Sequence, residues 1–220
     1  MKWTSACVVI ATALGALPAA QAAGVGVRAG TTGIGADVAF GLMPTLAARI
    51  GYSGLSYNTD IDATDIEYDT KLRLSNLNLL IDFSPLGPFR VTGGLIINDN
   101  KADVTGRPSG GTYRINGVTY PAAAIGSLSG TVKSGSRAAP YLGIGYGNVA
   151  GLGVNFYFDL GVMFQGTPEA RLTASCGAAL SASQCAQLSN DVAAEQARLQ
   201  SDISNFKYYP VANIGVTIGF

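Results

Sequence analysis

Five carboxylates crowd into ten residues of the stretch "DIDATDIEYD": Asp60, Asp62, Asp65, Glu67 and Asp69. Clustered like charge focuses a field that attracts divalent or basic solutes. Ca²⁺ takes about six to eight oxygen ligands, but this spacing matches no EF-hand loop. A solvated acidic loop is the plainer reading of the same residues. Histidine is absent from all 220 residues. A serine nucleophile therefore lacks its usual base near neutral pH, and His-bearing metal sites are excluded. No carboxylate pair sits at a recognisable catalytic site. The sequence thus points away from an enzyme, and it assigns no cofactor and no metal.

The remaining reactive groups are three cysteines, Cys7, Cys176 and Cys185. Residues 1–22 read as a secretory signal: Lys2 gives the positive start, "ACVVIATALGAL" the apolar core and Ala20-Gln21-Ala22 the small-x-small cleavage site. Cys7 leaves with it. Cys176 and Cys185 then form an even pair in an exported protein, which predicts a structural disulfide. Cleavage also removes Lys2, leaving 13 Lys+Arg against 14 Asp+Glu. Nucleic acid would want a basic patch, so no such partner is expected.

What must position these groups follows from composition. The chain is 48% hydrophobic but only 13% charged, against about 25% charged in an ordinary soluble domain. Beyond the signal, no apolar run reaches the ~18 residues of a membrane-spanning helix. Backbone groups in lipid must be paired within the protein, so an apolar chain without such helices is expected to close into a β-barrel. The stretch "LGVNFYFDLGVMFQ" places Leu152, Val154, Phe156, Phe158, Leu160, Val162 and Phe164 on one face, with smaller or polar residues between. That alternation suits a strand that is apolar outward and polar inward. It recurs at 23–31, 33–43, 46–58, 70–84, 88–99, 136–147 and 207–220. Short turns separate alternate pairs, and longer loops fall at about 59–69, 100–135 and 166–206. The expected fold is all-β: an eight-stranded antiparallel transmembrane barrel over residues 23–220.

Parity then fixes the interior. Arg28, Asp37, Arg49, Asp82, Arg90 and Asp159 point inward, with Asn76, Asn78, Asn155 and Tyr157 among them. An unpaired buried ion costs several kcal/mol, and eight strands leave a lumen that side chains just fill. One reading is a salt-bridged, largely closed lumen. The other is a narrow gated channel for small polar or cationic solutes, because many inward positions are glycine. Lys71 and Arg73 fall outward near the outer rim, either as a solvated strand end or where lipopolysaccharide phosphates meet them. Asn116-Gly117 predicts a hairpin in the third loop. In the last loop, Ser181 and Gln184 stand at capping-box spacing, and Leu188, Val192, Leu199 and Ile203 recur at helical spacing. This predicts a helical insertion over about 183–204.

As architecture the mature chain resembles the small eight-stranded outer-membrane barrels of Gram-negative bacteria, of OmpA, OmpX or OmpW type. In that class the last strand carries alternating apolar residues and ends on an aromatic one. Ile214, Val216, Ile218 and Phe220 match that pattern, which implies recognition by the barrel assembly machinery. Barrel enzymes of the outer membrane rely on histidine, which this chain lacks. A porin-like, non-enzymatic and monomeric barrel is expected, and the short turns predict both mature termini on the periplasmic side. Its partners would be outer-membrane lipid and lipopolysaccharide, and its role structural or surface-interacting.

Overall fold

The computed structural model describes residues 22–63, 66–108, 112–121, 124–177 and 179–220, without side-chain detail at 60–68 and 107–108. Residues 1–21 of the expected signal segment 1–22, and Asp65, lie outside the described residues, as do the side chains of Asp60, Asp62 and Glu67. Strands run at β1 (Ala23–Gly30), β2 (Gly33–Met43), β3 (Leu46–Ala63), β4 (Ile66–Leu86), β5 (Phe89–Asn98), β6 (Lys101–Pro108) and β7 (Thr112–Ile115). They continue with β8 (Val118–Pro121), β9 (Ile125–Lys133), β10 (Ala138–Tyr146), β11 (Gly153–Phe164), β12 (Glu169–Cys176) and β13 (Tyr208–Gly219). One helix, α1 (Ala182–Ile203), precedes the last strand.

The described residues thus hold thirteen strands rather than the eight expected. Antiparallel pairing runs from β1 through β2, β3, β4 and β5 to β10, β11 and β13, and β13 pairs back onto β1. These are the segments that alternation picks out. The additional strands lie where loops were expected. Residues 100–135 contain β6, β7, β8 and β9, while 166–206 contain β12 and α1. The expected loop at 59–69 is largely strand, since β3 and β4 stay paired from Leu46↔Phe83 to Ala63↔Ile66. These stretches lack a continuous apolar face, so a hydrophobic period cannot reveal them, yet the backbone ladder simply continues.

Past the cycle, β4 pairs β6, β6 pairs β9 and β9 pairs β12. The wall therefore rises on one side beyond the end that carries the 31–32 turn. The β7–β8 hairpin turns at Asn116 (φ 50°) and Gly117 (φ 79°), the positive φ pair that favours Asn-Gly. Helix α1 starts one residue before the expected boundary. Ser181 caps it, with the reciprocal Gln184 contacts of a capping box. Leu188 and Val192 bury into a satellite core with Tyr113, Ile115, Tyr120 and Ile125. Cys176 and Cys185 are disulfide-bonded, with Cα atoms 5.8 Å apart, and join the end of β12 to the first turn of α1.

The strand cycle is inverted relative to a soluble protein. Large apolar side chains face out, including Val27, Ile144, Phe156 and Ile218, each at least 60% exposed. Arginine, aspartate and asparagine are buried inside. Among the described residues no helix is long and apolar enough to cross a membrane.

Candidate functional site in the barrel interior

The inward set converges on a charge cluster built from strands that are distant in sequence. Arg49 on β3 meets Asp82 on β4 (Nε to Oδ2, 3.1 Å) and Asp159 on β11 (Nη1 to Oδ2, 2.7 Å). Arg90 on β5 meets Asp82 (Nε to Oδ1, 3.0 Å) and donates through Nη2 to Asp159 Oδ1. Two guanidiniums and two carboxylates thus form a neutral square. Thr92 donates to Asp82 at 2.6 Å. The Tyr157 ring packs beneath both guanidiniums, at 5.2 Å from Arg49 and 5.6 Å from Arg90, a cation–π arrangement. Its hydroxyl donates to Asp37 at 2.6 Å, and Asp37 pairs with Arg28 at 3.5 Å. All six charged side chains are at most 3% exposed.

The inward glycines leave their room to these groups. A Cβ at Gly215 would overlap the Tyr157 ring, and one at Gly51 would overlap Asp37. Toward the 31–32 turn, amides take over. Asn76 donates to Thr32 O and Asn78 to Gly51 O, each at 3.1 Å, while Thr32 donates to Asn213 at 3.1 Å. Beside them Leu80, Ile96, Ala139, Tyr141, Met163 and Val211 form an apolar layer.

The end nearest the termini is closed by a feature that sequence reading missed. The 147–151 turn, expected as a simple connection, folds inward so that Val149 and Ala150 bury against Ala39 and Tyr157. Arg90 Nη1 donates to Gly147 O at 2.6 Å and anchors the turn to the charge cluster. Asn155 is half-buried and serves this turn, donating to Gly151 O at 2.7 Å and Gly153 O at 3.0 Å. It does not reach the centre. Outside the turn lies a shallow cavity of about 440 Å³, lined by Met43, Pro44, Ser84, Asn148 and neighbours, with Asp82 at its floor. Thr92, Met163 and Tyr141 also fill the interior, and strand parity was the signal that could have found them.

Beyond the other end, the added sheet is tied down by α1. β12 is the edge strand of the described sheet, and Gln200 and Gln196 accept hydrogen bonds from Ala170 N and Leu172 N, each at 2.9 Å. Asn116 donates to Asp191 at 3.0 Å, and Tyr120 donates its hydroxyl to the same carboxylate. Those two bonds hold Asp191 below the usual carboxylate range, against a small opposing effect of burial. Tyr120 is pushed up to about 12, by burial and by the adjoining Asp191. On β6, burial works against ionisation of Asp103, but the Thr131 hydroxyl, Lys101 and the nearby Arg73 outweigh it and lower its pKa. Among the described residues no group of three His, Cys, Asp or Glu side chains converges as metal ligands would.

No protein-family model matches the chain, and no curated protein matches it. Solved structures do. CarO from Acinetobacter baumannii superposes with a TM-score of 0.61 at 24% identity, over 90% of this chain and 97% of that one. CarO2 of the same organism gives 0.60 at 22% identity, over 90% and 98%. At this identity the likeness shows a common fold. A major outer membrane protein from Thermus thermophilus aligns at a TM-score of only 0.43 and 16% identity, too loosely to carry an argument.

Proposed function

We propose that this chain is an integral outer-membrane barrel of eight transmembrane strands with a closed interior, and that it acts as a structural and surface-interaction protein rather than a conduit. Its architecture is that of the small barrels of OmpA, OmpX or OmpW type, carrying a tall outer sheet and a helical cap. The observation that carries the reading is the filled interior: an inserted turn, a charge square, and an apolar and amide layer follow one another along the axis. Outside, Leu152 to Phe164 span about 40 Å of strand, which at a tilt of about 40° covers about 30 Å, the depth of a bilayer's hydrocarbon core. Aromatic pairs flank that band. Phe89 packs edge-on against Tyr146 near the termini, and Phe164 against Tyr208 at the opposite end, as interfacial girdles do. The short turns at the end that carries both mature termini support a periplasmic location for them. Ile214, Val216, Ile218 and Phe220 serve as the assembly signal, on a strand that hydrogen-bonds on both sides.

The test is single-channel conductance of refolded residues 23–220 in planar bilayers, beside Asp82→Ala and Arg90→Ala. A silent wild type, with variants that leak or lose thermal stability, is the expected result. Discrete openings in the wild type would instead favour the narrow gated channel for polar or cationic solutes.

A further inference from the structure

The outward face of the added sheet carries a pattern that appears only once strand register is known. Arg73 on β4, Lys101 on β6 and Lys133 on β9 are direct cross-strand partners, with Glu169 on β12 completing the row. Two residues further out, Lys71, Asp103, Thr131 and Arg171 form a second row in the same register. The contacts agree with that alignment: Lys101 pairs with Asp103 at 3.2 Å, and Thr131 donates to Asp103 at 2.8 Å. These two rows set five cations against two carboxylates, while on the same face Asp99 stands below Lys101 and Asp69 beyond Lys71. The following row, Asp69, Thr105, Ser129 and Thr173, carries no cation. Like charges set directly opposite each other across strands are destabilising. Two such neighbouring pairs, Arg73 with Lys101 and Lys101 with Lys133, are a cost that folding does not require.

Their height explains them. β5 and β6 keep one register against β4, from Leu77↔Ile97 to Arg73↔Lys101. The cationic face is therefore the same face that bears Leu77, Leu79, Ile81 and Phe83 below. Arg73 and Lys101 each stand four residues beyond the last apolar outward residue of the wall, Leu77 and Ile97. That is about 13 Å of strand, or about 10 Å of height at the usual tilt. Long basic side chains lean back along such a wall toward the interface. The opposite face of the same strands, with Leu72, Ala102, Val132 and Ala170, turns toward α1 and the barrel mouth.

We infer that the outward rows formed by Arg73, Lys101, Lys133, Lys71 and Arg171 dock the phosphate groups of a phosphorylated glycolipid in the surrounding outer leaflet. The inference rests on the membrane reading above and deepens it by naming the lipid chemistry. Phosphates spaced along a lipid surface supply the counter-charge that these rows lack, and guanidinium and ammonium donors bind them by charge-assisted hydrogen bonds. The rows end where headgroups end, and the next row turns to Asp69 and the hydroxyls of Thr105, Ser129 and Thr173.

The experiment reconstitutes the full mature chain into phosphatidylcholine vesicles doped with diphosphorylated lipid A or with chemically dephosphorylated lipid A, then extracts the protein and quantifies the retained glycolipid by mass spectrometry. Retention of the phosphorylated form alone is expected, unaffected by added inorganic phosphate. Arg73→Gln, Lys101→Gln and Lys133→Gln combined should weaken retention about a hundredfold. Arg198→Gln, on the helix, should leave it unchanged. Heat-modifiable gel migration checks that each variant folds, and Lys replacements at Arg73 and Arg171 should keep binding. Equal retention of both glycolipids by inserted wild type, or displacement by free phosphate, overturns the inference while leaving the membrane reading intact. Failure to insert into any vesicle overturns the membrane reading itself.

Discussion

Inside the strand cycle every arginine touches an aspartate; on the outer sheet, two adjoining rows set five cations against two carboxylates. The residue types are the same and the rules differ because the solvent differs. Between Arg49, Asp82, Arg90 and Asp159 there is no water to screen or solvate a lone charge, so the interior must balance to neutrality among its own side chains. On the outer face, Arg73, Lys133 and Arg171 are solvated and tolerate an excess of one sign. Interior charges are therefore committed to each other, whereas the two outer rows hold more cations than carboxylates.

The sharpest way to break this comparison is to remove one charge from each region. Asp159→Ala leaves both Arg49 and Arg90 short of a counter-ion and should cost about 3–5 kcal/mol, read from urea unfolding of the refolded barrel. Arg171→Ala on the outer sheet should change stability by less than about 0.5 kcal/mol. Equal costs would mean that water reaches the interior and that the two regions do not differ. A double variant, Arg28→Met with Asp37→Leu, should cost less than either single change, because it removes both buried charges together.

The next test asks whether the outer region is a separate cooperative unit. Cys176→Ser opens the bridge between β12 and α1 and should cost about 2–3 kcal/mol by loop-closure arithmetic. Hydrogen exchange should quicken in α1, β9 and β12 but not in β11 or β13. Uniform loss of protection would show that barrel and cap unfold as one. Smaller still, Gln196→Ala or Gln200→Ala should each cost about 1 kcal/mol. Either change bares a β12 edge N–H, and the pair together should promote edge-to-edge association in light scattering.

How far the sequence foretold these regions depends on what each element leaves visible in one dimension. Strands β11 and β13 were legible because a two-residue period with aromatics on one face has few other readings. The same parity placed Arg28, Asp37, Arg49, Asp82, Arg90 and Asp159 inside without reference to any partner. Their pairing was not legible: Arg49 and Asp159 lie 110 positions apart, and only closure of the strand cycle brings them together. Val149 and Ala150 were read as part of a turn, since nothing in five residues says whether a turn folds outward or into a mouth. The added strands escaped because β6 and β12 alternate charged or hydroxyl residues with small or apolar ones and β9 alternates hydroxyls with Gly, Leu and Val, which leaves too weak an apolar face for a hydrophobic period to detect. The cation rows needed register, which sequence does not carry.

The smallest expected effect is titration of the cap, and it sharpens the contrast between screened and unscreened charge. Asp191 is held below the ordinary carboxylate range by the hydroxyl of Tyr120 and the amide of Asn116. A depressed folded pKa contributes stability above the unfolded value of about 3.9. That contribution fades as pH falls through the lower folded value. Tyr120 shifts the other way, to about 12, through burial and the same carboxylate. Its contribution is complete below the unfolded pKa of about 10 and is lost as pH rises from there toward 12. Protection of α1 and of the β7–β8 hairpin against hydrogen exchange, relative to the intrinsic rate at each pH, should therefore be flat between these limits and fall outside them. Asp191→Asn should flatten the acid limb, and Tyr120→Phe the alkaline one. An acid limb that persists in Asp191→Asn would assign the pH sensitivity to another carboxylate of the cap, with Glu195, which accepts the Asn116 N–H at 3.1 Å, the next to replace.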